Sequence, residues 1–422
     1  MRAIPDEPLA FVAALGCWHR EKLKGSLLIS MKLFTLSLHL LALEVHLASA
    51  APKPQNPSKG QLYFLQDNPA GSSVVSLSIG RDGKLSAPRH TSTGGRGFGI
   101  AGANGQLVPA GLHSQDALVM DSPWLLTLNS GSNTVSLFEI PANDPSRPVL
   151  VGKPVSTGGE YPNTVALSAK HRLACVANSG AVPGVQCYSI SKQGRLEPLS
   201  KLKPLKVNEP TPPPAAAGTV SDILFNPSQT AIFVTVKGDG SNNNTTPGYI
   251  YVFPLINGVP SDHPVISRPP QLHADFALTF ISDRRAVIAD TTFGAAFLDI
   301  SPEYKVNVSR VVDVAGQMAT CWIKYVPEYD LVFLGDGGVA DITVLDAARE
   351  NIKYVIPLPA ASGGSFDFAF VGNYLYTRKG NSAVSVLDLS GSNKHVPKLV
   401  ELYNTSSLGA AADFNGMAVH TY

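Results

Sequence analysis

Four side chains able to exchange a proton or carry a charge, His113, Glu160, His273 and Asp275, stand just before or at the start of short apolar runs in a chain of 422 residues. Where loops converge, a histidine or carboxylate that faces a cation or a substrate serves general acid–base chemistry. Aligning the apolar runs places Gln115, Asn163, Val220, Asp275, Thr320, Ser365 and Asn415 in one column, polar everywhere except Val220, with Glu209 and Asp413 close by in sequence. The same column also reads as polar residues that satisfy backbone groups and channel waters, without any chemistry. Arg96, in the loop GGRGFG from Gly94, offers an anion-binding cation or a solvated turn residue. That loop follows no strand–helix unit, so it does not read as a phosphate cradle. The turns GDGG from Gly335 and KGDGSNNN from Lys237 lack the full ligand spacing of a calcium loop, and hairpin chemistry accounts for them. Neither a zinc-type His and Cys cluster nor a Gly-x-Ser-x-Gly elbow is present, so no metal and no cofactor is expected.

The elements that must position these residues repeat. An apolar run, a tight Gly/Asn/Asp turn and a second apolar run recur from Leu62, Leu125, Leu173, Ala231, Ala286, Leu331 and Tyr374. LLTLNSGSNTVSLFEI from Leu125 and LVFLGDGGVADITVLDA from Leu331 are typical: strand, turn and strand, with punctuation where a hairpin needs positive φ. Another short strand pattern precedes six of the seven, at Asp116, Thr164, Ser221, Asp275, Thr320 and Ser365, and a looser, Pro-rich strand follows most of them. Four strands repeated about every fifty residues describe the blades of a β-propeller. The first repeat lacks its leading strand, and NGMAVHTY (Asn415 to Tyr422) has that pattern with no hairpin after it. An all-β, seven-bladed propeller closed by pairing of the C-terminal strand with the N-terminal blade is therefore expected, because closure removes exposed sheet edges. The Pro-rich stretch NEPTPPPAAAG (Asn208 to Gly218) falls between two repeats and reads as a long inter-blade loop.

Composition agrees with this architecture and excludes several functions. The 37 Gly and 33 Pro suit many short strands joined by turns. With 33 Lys and Arg against 32 Asp and Glu the formal net charge is +1, so neither nucleic acid nor an anionic membrane is an expected partner. From Met31 the chain reads MKLFTLSLHLLALEVHLASA, a short basic start, an apolar centre and Ala48-Ser49-Ala50 in the form that signal peptidase accepts. Glu44 and His46 interrupt the run, which is too short and too polar for a stable membrane span. The organisation expected is an upstream extension over 1–30, a signal peptide over 31–50, a linker over 51–59 and the propeller over 60–422. Acceptor motifs at Asn243, Asn244, Asn307 and Asn404 point to a secreted glycoprotein.

The run LHSQDALVMDSPWLLTLNSGSNTVSLFEI (Leu112 to Ile140) and the next blade, PNTVALSAKHRLACVANSG from Pro162, resemble the repeat of the seven-bladed lactonase-type propellers. Over Gly60 to Tyr422 the chain is similar to secreted fungal 3-carboxymuconate cyclase-like proteins. That resemblance implies a propeller and, among enzymatic members, lactonising chemistry by His, Glu and Arg side chains around the channel, with His-x-His in the bacterial lactonases. This chain has no His-x-His, and His113 stands alone before Ser114 and Gln115. Two functions follow as expectations. One is a monomeric extracellular or cell-wall binding protein without the lactonising residues. The other is a lactonase or cycloisomerase acting on a small carboxylated molecule at the channel mouth.

Loss of the leader leaves Cys175, Cys187 and Cys321, an odd number in an oxidising compartment. Cys175 and Cys187 lie on the two arms of one hairpin, each six residues from Ala181 at the turn, and so oppose one another within reach of a disulfide. Two buried free thiols are the alternative. Cys321, beside Trp322, is expected to be an unpaired core thiol.

Overall fold

The computed structural model of the chain describes residues 60–102, 106–240, 246–392 and 395–422. Among these, seven antiparallel sheets of four or five strands follow one another along the chain. Each has an innermost strand, a central hairpin and an outer edge. The innermost strands of blades 2 to 7 are Leu118–Asp121, Pro162–Ser168, Val220–Phe225, Asp275–Ser282, Thr320–Val326 and Ser365–Val371. Blade 1 takes its innermost strand from the C-terminus: Phe414–Thr421 pairs antiparallel with Gly60–Gln66. The closure expected from the sequence is therefore the observed topology. A further two-stranded hairpin, Gly99–Ala101 with Leu107–Pro109, connects blades 1 and 2. Asn208 to Gly218 holds no strand and links blades 3 and 4, as its proline content requires.

The core lies between blades. Inward positions of both central strands are almost wholly apolar, as sheets covered on both faces require, and they pack against the neighbouring sheet. One cluster joins Phe276, Phe297, Trp322, Phe333 and Phe368 across blades 5, 6 and 7. Another joins Leu62, Phe64, Tyr376 and Val386 to Phe414 and Met417 across the closure, with the Phe64 and Phe414 rings edge to face at 5.0 Å. Each such buried side chain contributes about 1.5–3 kcal/mol, so the C-terminal strand is held by packing as well as by its ladder.

The cysteine hairpin has the register counted from its turn. Cys175 pairs with Cys187 across the ladder of blade 3, their Cα atoms are 4.1 Å apart, and they form a disulfide. Cys321 is a buried free thiol. Asn307 and Asn404 are exposed on the outermost strands of blades 5 and 7, whereas Asn243 and Asn244 lie outside the described residues, as do the segments 1–30, 31–50 and 51–59. Among the described residues no helix is long and apolar enough to cross a membrane.

Candidate functional site

A channel runs between the seven innermost strands, and its two mouths differ. We call the end where these strands begin the upper mouth. There five of the strands carry a β-bulge at their second or third residue: the pairing register skips Asn163, Ser221, Phe276 with Ala277, Cys321 and Asp367. A further bulge falls near Gly416. Bulges re-aim side chains and break ladder pairing, so each strand presents spare amides to its neighbour. Inward acceptors of the preceding blade take them. Thr164 Oγ1 accepts from Ile223 N at 3.2 Å, Asp222 Oδ2 from Leu278 N at 3.0 Å, Thr279 Oγ1 from Tyr325 N at 3.1 Å and Asp367 Oδ2 from Gly416 N at 3.0 Å.

Across this mouth lies the segment Leu112–Ala117. His113 and Asp116 have φ of 51° and 56°, left-handed conformations that turn the backbone into the channel. Gln115 N donates to Ser221 O of blade 4 at 2.9 Å, and Gln115 Oε1 accepts from Ile323 N of blade 6 at 3.0 Å. Trp322 Nε1 donates to Ser114 O, Ser114 Oγ to Asn163 O, and Val165 N to Asp116 O. A segment that leads into blade 2 yet bonds blades 3, 4 and 6 must cross the axis. It plugs the channel, and Ser114 and Gln115 are buried within it.

The sequence-derived candidates sit at this plugged mouth. His113 offers its carbonyl to Lys237 Nζ at 2.7 Å, and burial, with Lys237 adding to it, lowers its imidazole to about 4. Asp275 is wholly buried with no hydrogen bond to either oxygen, and burial, then Asp290, raises its carboxyl far above the usual range. His273 gives its backbone N–H to Asp290 Oδ2, and Glu160 Oε2 accepts from Thr211 Oγ1 at 2.5 Å on a loop of blade 3. His113 and Asp275 thus share the surroundings of Lys237; Glu160 is bound elsewhere on the rim.

Most of the polar column serves the backbone. Asn163 donates to Leu112 O and Val220 O, Ser365 Oγ to Ala340 O, and Asn415 Nδ2 to Asp413 O. Thr320 N donates to Gln317 Oε1 at 3.0 Å.

Lys237 was not singled out from the sequence, because KGDG reads as a turn. A second column would have found it. The strand after each innermost one ends at or just before Asp67, Asn129, Asn178, Lys237, Asp290, Asp336 and Lys379, all polar and all buried. Asp336 accepts backbone N–H from Met318, Ala319, Gly338 and Val339 within 3.0 Å; Asp290 does the same for His273, Ala274 and Thr292. The lysines reverse the sign. Lys237 Nζ donates to His113 O, Thr219 Oγ1 and Val220 O and lies 4.4 Å from the centre of the Phe276 ring, and Lys379 Nζ donates to Ala340 O and Ser365 Oγ. Burial lowers Lys237 to about 7 and Lys379 to about 8. Burial pushes the Cys321 thiol well up, the reverse of what a nucleophile needs.

At the lower mouth a cavity of about 300 Å³ opens between blades 2, 3 and 4. Val119, Met120, Leu167, Leu224 and Phe225 wall it, and Asp116 lies at its inner end. The rim groups are engaged: Asp121 Oδ2 accepts from Ala169 N, Gln229 Oε1 from Ser168 Oγ, and Asn226 Nδ2 donates to Asp283 Oδ1. Asp116 differs, since no hydrogen bond to its carboxylate is found among the described residues. Burial raises it to about 7, Lys324 opposing and Asp367 adding to the rise. Asp222 is raised by burial and by Asp116; Asp367 is paired with Arg378 at 2.9 Å. Among the described residues no cluster could hold a metal ion.

The sequence matches no family model and no curated protein. The fold has many structural counterparts. The periplasmic gluconolactonase of Pseudomonas aeruginosa superposes with a TM-score of 0.61 at 15% identity, over 85% of this chain and 99% of its own. Proteins assigned as 6-phosphogluconolactonases from Bacteroides fragilis and Bacteroides uniformis both superpose with a TM-score of 0.59. Their identities are 11% and 14%, over 86% and 82% of this chain and 100% and 98% of theirs. At these identities the likeness is one of fold: the chain is a seven-bladed propeller similar in architecture to 6-phosphogluconolactonase-like proteins.

Proposed function

We propose that the chain is a secreted, monomeric propeller of the 3-carboxymuconate cyclase-like kind that acts as an extracellular or cell-wall binding protein and not as a lactonising enzyme. The observation that carries this reading is the plug. A substrate approaching His113 or Asp275 from above would have to displace Leu112–Ala117 from its bonds to three blades, and His113, lowered to about 4, is a weak base at neutral pH. In this reading residues 31–50 are a signal peptide cleaved after Ala50, 1–30 an upstream extension, 51–59 a linker and 60–422 the mature fold. The Cys175–Cys187 disulfide and the exposed Asn307 and Asn404 suit an oxidising, glycosylating compartment.

A second reading, a lactonase or cycloisomerase acting on a small carboxylated substrate, is favoured by Asp116 in the lower cavity and by the gluconolactonase-like neighbours. Fold alone does not decide between the two. Incubating purified protein with gluconolactone and muconolactone, with ring opening followed by pH-stat, does. The binding reading expects no turnover above buffer. Turnover abolished by Asp116→Asn would establish the enzyme instead.

A further inference from the structure

We infer that the lower cavity binds a small organic cation, an amine carried on an apolar body, with Asp116 as its counter-ion. This names the ligand class of the binding reading above and rests on it. The walls contributed by Val119, Met120, Leu167, Leu224 and Phe225 are apolar, and the volume of about 300 Å³ lies at the small end of ligand pockets. Each rim polar group is already bonded within the protein. Among the described residues, the cavity group lacking a donor is the Asp116 carboxylate, and a carboxylate in apolar surroundings is costly unless a cation pairs with it.

The charged groups facing Asp116 come from three other blades. Lys324 of blade 6 is exposed and forms no ion pair with Asp116 among the described residues; it acts only through its field. Asp367 of blade 7 is held by Arg378, and Asp222 of blade 4 bonds Leu278 N through one oxygen while its other has no partner. The groups named around Asp116 are therefore three carboxyls, its own included, against one free ammonium and one guanidinium already paired; Asp121 on the rim is bonded to Ala169 N, and Lys237 beyond Asp222 donates to His113 O, Thr219 Oγ1 and Val220 O. An incoming ammonium fits that balance, whereas an incoming carboxylate adds a fourth acid.

Binding an amine requires ionised Asp116. Because burial holds this group at about 7 in the free protein, affinity should weaken by up to roughly tenfold for each pH unit below 7 and level off above it.

The test uses the mature propeller with benzylamine, benzoate and benzyl alcohol as probes, read by calorimetry and by methionine-methyl NMR. Expected are benzylamine binding that moves the Met120 methyl but not Met318 at the upper mouth, weakening from pH 8 to pH 5, and at least a tenfold loss in Asp116→Asn. Asparagine tolerates the left-handed backbone at position 116, so the variant keeps the fold. An unchanged Met120 signal with benzylamine, equal affinity in Asp116→Asn, or preference for benzoate would overturn the inference. None of these outcomes bears on lactone turnover, so the ligand assignment and the binding reading fail separately.

Discussion

The two mouths of the channel hold similar residue types in opposite conditions. At the upper mouth Asn163, Lys237, Asp290, Asp336 and Lys379 are joined to backbone groups, a chain segment crosses the axis, and Asp275, the exception without a donor, is wholly buried. At the lower mouth Asp116 faces an apolar cavity with no donor to its carboxylate among the described residues. A polar residue near a propeller axis is thus no sign of chemistry by itself. What sets Asp116 apart is that it both lacks a donor among the described residues and lines an open cavity, which Asp275 does not. Six innermost strands are bulged near their upper ends and need partners there, while in the lower halves, among the described residues, the ladder slips once, in blade 5 between Phe280 and Ser282.

That contrast can be broken by substitution. The largest loss of stability is expected at Asp336, whose carboxylate bonds four backbone amides. Asp336→Ala should cost roughly 3 kcal/mol or more, read as a fall in the urea midpoint. A loss under 1 kcal/mol would mean that these caps are dispensable, and the upper mouth would regain its claim as a site.

Asp275 and Asp116 should move the other way. A carboxyl raised in the folded state keeps a proton that the unfolded chain releases above pH 4. Stability is then lost as pH rises, by about 1.4 kcal/mol per unit, until the folded-state value is reached. Asp275→Asn should therefore stabilise the protein at pH 8 and leave it nearly unchanged at pH 4. The benefit of Asp116→Asn should be smaller and flatten above about 7. Stability curves of the two variants that run parallel to wild type across this range would show that neither acid is held protonated.

The blades were legible in the sequence because hairpins announce themselves locally. Cys175 and Cys187 could be matched by counting outward from Ala181, since a ladder fixes register from its turn. The C-terminal strand could be assigned to blade 1 because one repeat lacked its leading strand. The plug could not be read. It depends on positive φ at His113 and Asp116, which no local pattern marks, and on a bond from Gln115 to a residue 208 positions away. Asp116 itself stood in the quoted run SQDALV, but an aspartate before a strand resembles many turn residues, and only the folded ring shows that none of the described residues donates to its carboxylate. Lys237 was hidden for a related reason, because lysine beside Gly-Asp-Gly suggests solvent.

Amide hydrogen exchange tests the central claim, that Leu112–Ala117 closes the upper mouth. The amides of Gln115 and Ile323, bonded to Ser221 O and to the Gln115 side chain, should exchange as slowly as those of the central strand Ala231–Val236. Gln115→Ala should release Ile323 alone. If both amides exchange at the rate of exposed loops in the intact protein, the plug is not closed, and the acid–base candidates beneath it are open to substrate.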